Sequence, residues 1–129
     1  LNAFWMASDP YRGDPFMRDG KFSSYDDLDL YYAGVGGHDN TTTRFRRYRH
    51  GGGKPILREY KDKDHLLEGN RVYSITIVVR DGRTSFTVND VLYFEYADKM
   101  PISEGYFAFR TTRSHQRIAN FKVRRMLPR

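Results

Sequence analysis

The sequence predicts an all-β protein built on an antiparallel sheet. Five segments between residues 70 and 123 alternate apolar and polar side chains, and only short turns separate them. This close spacing of alternating segments is typical of antiparallel strands that follow one another in a meander. The five predicted strands are residues 70–80, 84–89, 91–96, 105–110 and 118–123. Such a sheet has one buried face and one open face, and an open, curved face suits an extended polymer.

The first half of the chain adds shorter predicted strands. Residues 1–24 are rich in Asp, Pro and Gly turn signals, and the apolar run at residues 4–6 closes a strand there. Residues 26–34 alternate strictly and end at a glycine-rich break. Residues 41–49, rich in Thr and aromatic side chains, form the next strand, and residues 54–60 form a short one. No helix of ordinary length fits the hydrophobic pattern.

Length, charge and cysteine content bound the class of protein. The 129 residues predict one domain over positions 1–129. The absence of cysteine excludes disulfides and thiolate metal sites, and no apolar run reaches membrane-spanning length. The net charge is +6, with arginines concentrated at residues 44–49 and a basic stretch from residue 113 onward. Positive clusters attract anionic partners such as glycans or nucleic acid; the alternative is a solvated strand face and a basic tail.

The first candidate functional group is a set of acidic and aromatic side chains on one strand. Alternation places Asp27, Asp29 and Tyr31 on the same face, with neighbours about 7 Å apart. Paired carboxylates at such a strand suit glycoside hydrolysis, in which one attacks the sugar and the other donates a proton. The alternative is an exposed acidic face that pairs with neighbouring arginines.

The second candidate group lies on the following strand and the turn before it. Its members are His38, Asn40, Arg44, Arg46 and Tyr48. Eliminative cleavage of a uronic-acid polymer needs a group that neutralises the carboxylate, a Tyr or His that takes the adjacent proton, and an acid that protonates the leaving oxygen. We expect this group to face one trough with Asp27 and Asp29. The alternative is a set of cross-strand ion pairs between the arginines and those aspartates.

The third candidate group is the polar turn that contains Arg113, His115 and Gln116. His115 suits acid–base chemistry near neutral pH, or it braces the loop through a hydrogen bond. The spacing of the four histidines matches no zinc motif. No cofactor is expected, and the alternative is calcium bound by loop aspartates. Those aspartates are Asp9, Asp14, Asp19 and Asp39.

Several motifs resemble a known superfamily. The second half of the chain contains V-N-D at 88–90, G-Y-F-A-F-R at 105–110 and I-x-N-F-x-V at 118–123. These motifs resemble the closing strands of concanavalin A-like jelly-roll domains. The segments FWMASDP, YYAGVGGHDNTTTRFRRY and FRTTRSHQRI are similar to a bacterial family of unknown function within that superfamily, often found in polysaccharide-degrading organisms. The resemblance implies an antiparallel β-sandwich and an extracellular or periplasmic location.

The resemblance also implies a function and a partner. Relatives have several strands before the FWM segment, so we expect an N-terminal fragment, a partner chain or a second copy to complete the sheet. The implied function is binding and cleavage of an anionic polysaccharide by a lyase or a hydrolase. A non-catalytic carbohydrate-binding module is the alternative, and nucleic-acid binding ranks third because no nucleic-acid motif accompanies the arginines.

Overall fold

The structure, a computed structural model, describes residues 1–11 and 13–128 and is an all-β sandwich. The strands are β1 (Asn2–Ser8), β2 (Asp29–Gly36), β3 (Thr42–Tyr48), β4 (Ile56–Tyr60), β5 (Ile75–Arg80), β6 (Arg83–Val88), β7 (Val91–Ala97) and β8 (Tyr106–Arg110). Short helical turns lie at Phe22–Tyr25, Gly37–Asn40 and Lys63–His65. Within the described ranges, no helix is long or apolar enough to cross a membrane. The prediction of an all-β antiparallel sandwich is confirmed.

The strands form two antiparallel sheets. The larger sheet has the order β4-β3-β2-β1-β8, and the smaller sheet has the order β5-β6-β7. The predicted five-stranded meander is therefore wrong: three of its strands form the smaller sheet, and β8 crosses to the larger one. Gly105 permits this crossing, because a Cβ atom there would lie 2.2 Å from the backbone carbon of Met6 on β1.

The predicted strand at residues 118–123 is not formed in the described part of the chain. Asn120 has a φ of 57°, a left-handed conformation that interrupts an extended backbone. The segment still packs on the fold through Phe121, whose ring centroid lies 5.2 Å from that of Phe107 and 6.1 Å from that of Phe109. The alternating pattern was therefore not sufficient for a paired strand.

An aromatic layer fills the space between the two sheets. The Trp5 ring stacks 6.1 Å from Phe45 and 5.8 Å from Phe86, and Phe45 stacks 5.5 Å from Phe94 of the smaller sheet. All four side chains are at most 3% exposed. The Trp5 indole also donates a hydrogen bond of 2.8 Å to the Thr84 hydroxyl on β6. One residue of β1 thus joins both sheets by packing and by a buried polar contact.

A second apolar cluster lies on the outer face of the larger sheet. It contains Phe4, Ala7, Leu28, Leu30, Tyr32 and Tyr48. Phe22 and Tyr25, from the connection between β1 and β2, pack against this cluster from outside. Lys54 anchors the connection by an ion pair of 2.6 Å with Asp26. The connection therefore covers one end of the outer face, where Tyr48 lies.

We expect the Trp5–Thr84 hydrogen bond to couple the two sheets energetically. Trp5→Phe leaves the buried Thr84 hydroxyl without its donor, which costs about 1–3 kcal/mol in addition to lost packing. Thr84→Val removes the acceptor without a change of shape. Urea unfolding of the two single variants and the double variant should give a coupling of about 1 kcal/mol, with the double variant less destabilised than the sum. Simple additivity would contradict the coupling.

Candidate functional site

Strand register decides which polar side chains meet on the outer face of the larger sheet. Tyr32 of β2 is opposite Arg46 of β3, and Gly34 is opposite Arg44. Because alternate residues of a strand point to opposite faces, Arg44, Arg46 and Tyr32 share the outer face. Tyr31 points into the sandwich instead. The predicted grouping of Tyr31 with the arginines is therefore wrong. Tyr32, its neighbour in sequence, lies beside the arginines instead.

The Tyr32 hydroxyl lies among three arginines. It donates a hydrogen bond of 3.0 Å to Asn2 Oδ1 on β1, and Asn2 is in register with Arg110 of β8. Burial raises the pKa of Tyr32, and the positive charges of Arg46, Arg110 and Arg44 act in the opposite direction. We call Tyr32, Asn2, Arg44, Arg46 and Arg110 the arginine cluster. It combines three guanidinium groups with one phenol across four neighbouring strands.

Gly34 fixes the position of the phenol. A Cβ atom at Gly34 would lie 2.1 Å from the Tyr32 hydroxyl oxygen and 2.8 Å from the adjacent ring carbon. The Tyr32 ring therefore runs across the bare backbone of its own strand toward the arginines. A glycine two residues after the tyrosine, on the same face, is the sequence feature that permits this arrangement.

Each arginine is oriented by at least one polar contact. Arg46 Nη1 donates to the Lys54 carbonyl at 2.8 Å, and Arg110 Nε donates to the Gly20 carbonyl at 2.8 Å. The Arg44 side chain pairs with Glu59, and this hydrogen bond lowers the pKa of Glu59. Backbone carbonyls carry no net charge, so Arg46 and Arg110 are oriented without being neutralised. The cluster therefore keeps a positive charge.

His38 reaches the edge of the cluster from a strained turn. Arg44 Nη1 donates to His38 Nε2 at 2.9 Å, which leaves the ring proton of His38 on Nδ1. The turn residues His38, Asp39 and Asn40 have φ values of 50°, 57° and 61°, which cost about 1–2 kcal/mol each for non-glycine residues. The Asn40 side chain offsets this cost by hydrogen bonds of 2.7 and 2.9 Å to the Leu67 backbone. Asn40 therefore braces the turn, whereas His38 faces the arginines.

Tyr48, the predicted proton-transfer residue, lies under the covering connection. It is 0% exposed, and its hydroxyl has no hydrogen-bond partner among the described residues. Burial raises the pKa of Tyr48. Its ring centroid lies 5.9 Å from that of Tyr32. Tyr48 thus packs against the ring of Tyr32. The prediction that the Tyr48 hydroxyl points into an open trough is wrong.

The two predicted acids are also not in the arginine cluster. An Asp27 carboxylate oxygen lies 3.5 Å from the Arg18 guanidinium. Asp29 accepts hydrogen bonds from the His50 backbone at 2.9 Å and the His50 ring at 2.7 Å. The expected common trough of these aspartates with Arg44 and Arg46 is therefore wrong, because the acids are held by other basic side chains.

Tyr31 belongs to a buried polar centre around Asp98. The Asp98 carboxylate accepts hydrogen bonds from the Tyr31 hydroxyl at 2.7 Å, from Arg47 Nε at 2.8 Å and from the Met100 backbone N–H at 2.8 Å. Arg49 Nη2 lies 3.3 Å from the same carboxylate. Burial of Asp98 favours its neutral form, but the hydrogen bonds outweigh this effect and hold its pKa below the ordinary value. Burial and the bond to Asp98 raise the pKa of Tyr31 to about 12.

The third predicted group lies in the segment after β8. Arg113 and His115 are exposed there, and Gln116 is half-buried. Gln116 Nε2 donates to the Ser114 hydroxyl at 3.2 Å. Within the described ranges, these side chains form no hydrogen bond with the arginine cluster. The loop aspartates do not assemble either: in residues 1–11 and 13–128, no three His, Asp or Glu side chains are arranged to hold a metal ion.

The sequence interpretation missed Asn2 and Arg110, and it did not group Tyr32 with the arginines. Alternation already separated Tyr32 from Tyr31, so the signal for the correct tyrosine was present. The register between β2 and β3 depends on the left-handed turn at Gly37–Asn40, which pattern alone does not predict. Arg110 joins the cluster because β8 pairs with β1 across the larger sheet, a contact that spans about the whole chain.

The fold and the arginine cluster define the class of protein: an antiparallel β-sandwich with a cationic, aromatic patch on one outer face. The chain belongs to the family described as a domain of unknown function (DUF6250), which matches residues 1–121. No curated protein and no solved structure matches the chain. The function must therefore be argued from the site itself.

Asp98 should make the protein sensitive to acid. Because its pKa is lowered in the folded state, its contribution to stability is complete above the ordinary carboxyl pKa of about 3.9 and is lost as the pH falls through the lowered value. Asp98→Asn should lose about 3 kcal/mol at neutral pH, because Arg47 stays buried without its partner charge. Urea unfolding at a series of pH values measures both effects.

The control for this experiment is Asp90→Asn, which changes an exposed turn carboxylate. It should be as stable as the unmodified protein at neutral pH and should lose the same amount of stability below pH 4. Over the same acid range, Asp98→Asn should lose less stability than the unmodified protein and less than Asp90→Asn. An equal acid dependence in all three proteins would mean that Asp98 does not carry the effect.

Proposed function

We propose that this domain binds an anionic polysaccharide on the arginine cluster, as a jelly-roll domain of the concanavalin A-like type. The observation that carries the proposal is the strand register, which places Arg44, Arg46 and Arg110 on the same outer face as Tyr32. Arg44 and Arg46 lie on β3 and Arg110 lies on β8, so the three guanidinium groups are spread over the outer face with β2 and β1 between them. A repeating polymer of acidic sugars presents the complementary charge.

The chemistry of the cluster favours sugar carboxylates. A guanidinium group is planar, remains charged and presents paired donors that match the two oxygens of a carboxylate. The Tyr32 hydroxyl adds a hydrogen-bonding group for the sugar oxygens. Asn2 adds a neutral amide beside the Tyr32 hydroxyl. One uronate unit can therefore be recognised by charge and by hydrogen bonding at once.

Substitution of the arginines should weaken this binding. In Arg44→Gln and Arg46→Gln, each lost charge-assisted contact should reduce affinity for a uronate polymer about tenfold or more. Affinity electrophoresis in gels that contain pectate, alginate, ulvan or a glycosaminoglycan measures the effect. Arg124→Gln, in the exposed segment after β8, is the matched control and should leave affinity almost unchanged.

Three outcomes would reject the proposal. One is the absence of binding to every anionic glycan in the panel. Another is an equal loss of affinity in Arg124→Gln, which would indicate general charge attraction by a protein of net charge +6. The third is complete displacement of the glycan by a short random-sequence nucleic acid at equal charge concentration, which would favour phosphate recognition instead.

Eliminative cleavage is the second candidate function, and the position of the Tyr32 hydroxyl favours it. An arginine would neutralise the uronate carboxylate, and deprotonated Tyr32 would take the proton from the adjacent carbon. The carbon–oxygen bond to the leaving sugar would then break, a carbon–carbon double bond would form, and the proton on Tyr32 would pass to the leaving oxygen. Hydrolysis has less support, because Asp27 and Asp29 are held by Arg18 and His50 away from the cluster.

Tyr32→Phe separates binding from cleavage. It removes the hydroxyl and keeps the ring, so glycan affinity should change by less than about threefold, while formation of the ultraviolet-absorbing unsaturated product should stop. In the unmodified protein the rate should rise with pH on the alkaline side, because burial raises the pKa of Tyr32. A spectrophotometric assay on the same glycan panel measures both.

If the unmodified protein binds a uronate polymer and releases no unsaturated product, the domain is a non-catalytic binding module and the cleavage candidate fails alone. If Tyr32→Phe retains full activity, another residue takes the proton. His38→Gln is the companion variant for that case, because His38 lies against Arg44 at the edge of the cluster.

A further inference from the structure

A groove of about 410 Å³ lies between the two sheets on the side opposite β8. Edge strand β4 of the larger sheet forms one wall, and edge strand β7 of the smaller sheet forms the other. Buried rings of Phe45 and Phe94 form its floor. Leu57 and Leu92 line the walls and are 39% and 51% exposed. The groove is separate from the arginine cluster, which lies on the outer face.

Each wall of the groove contains a β-bulge. In β4, Phe45 is opposite Arg58 and Arg46 is opposite Ile56, so Leu57 is the extra residue. In β7, the pairing with β6 passes from Phe94 to Leu92, so Tyr93 is the extra residue. Both extra residues line the groove. Bulges redirect side chains and are frequent beside functional sites, and here both bulged residues border the same groove.

The bulges also argue against a peptide strand as the occupant. Addition of a strand needs a regular row of free backbone groups along a sheet edge, and a bulge interrupts that row. The Tyr93 carbonyl on the edge of β7 is also occupied, because it accepts a hydrogen bond of 2.7 Å from the Tyr60 hydroxyl. A ligand that is recognised through side chains fits this groove better than one recognised through backbone pairing.

The rim of the groove is polar and balanced in charge. Arg58 lies on the β4 side, with its guanidinium carbon 5.1 Å from the centre of the Tyr60 ring. Glu95 lies on the β7 side and is half exposed, 3.6 Å from Arg83. One rim residue donates hydrogen bonds and the other accepts them. This balance differs from the outer face, where positive charge dominates, and it favours an uncharged polyhydroxylated ligand.

We propose that this groove is a second saccharide site, which binds uncharged pyranose units of a glycan chain. The apolar walls at Leu57 and Leu92 and the ring of Tyr96 contact the C–H faces of the sugar. Arg58 and Glu95 hydrogen-bond to its hydroxyl groups. The volume lies within the range of small-ligand pockets. The proposal stands independently of the arginine cluster, so either site can fail without the other.

Affinity electrophoresis with neutral glycans tests the proposal. The protein should be retarded in a native gel, run toward the cathode, that contains at least one of xylan, glucomannan, β-glucan or galactan. Leu57→Asp/Leu92→Asp places charge on the walls at exposed positions and should reduce that affinity about tenfold or more. Val123→Asp, at a position 80% exposed in the segment after β8, is the matched control and should be retarded like the unmodified protein.

A second variant protects the test against a folding defect. Arg58→Gln/Glu95→Gln changes only the polar rim, keeps the apolar walls and should also weaken retardation severalfold. Arg44→Gln/Arg46→Gln should retain neutral-glycan binding, which separates the two sites. The proposal is overturned if no neutral glycan in the panel retards the protein, or if both groove variants bind as well as the Val123→Asp control.

Discussion

The packing of Trp5 between the two sheets is the contact on which the rest of the structure depends. Its ring lies against Phe45 and Phe86, and its indole N–H satisfies the buried Thr84 hydroxyl. Once this side of β1 faces inward, alternation fixes the other face of every strand in the larger sheet. The outer position of Tyr32 follows from that choice. A slip of one residue in register would exchange the arginine cluster with the core.

The same rule explains how much of the fold the sequence could predict. Alternation and turn chemistry predicted the strands at residues 41–49 and 84–89, and each of these strands has a partner that follows or precedes it closely in the chain. They were not enough to predict that β8 leaves the smaller sheet, since this depends on the close approach of Gly105 to Met6 across the fold. The strand predicted at residues 118–123 failed for a related reason: a paired strand needs a partner, and the pattern contains no information about one.

The residue types of the candidate site could be predicted from the sequence, but not all of the particular residues could. Arg44 and Arg46 were selected correctly as neighbours on one face, because two residues of one strand separated by one must share a face. The choice of Tyr31 and Tyr48 as their companions was wrong for two different reasons. To exclude Tyr31, one must know the register between β2 and β3. To exclude Tyr48, one must know that the connection between β1 and β2 places Phe22 and Tyr25 over it. Both are tertiary facts.

Arg46 and Arg47, which are neighbours on β3, show that the face on which an arginine lies decides which groups it can contact. Arg47 points inward, where an unpaired charge would be costly, and Asp98 provides the compensating carboxylate. Arg46 points outward and is oriented by the Lys54 carbonyl, a contact that holds the guanidinium without cancelling its charge. An arginine that is neutralised by a buried acid can only stabilise the fold. One that is oriented by a backbone carbonyl remains able to attract an anion, and this difference is why the outer face, not the arginine-rich sequence as such, is the site at which a charged partner is expected.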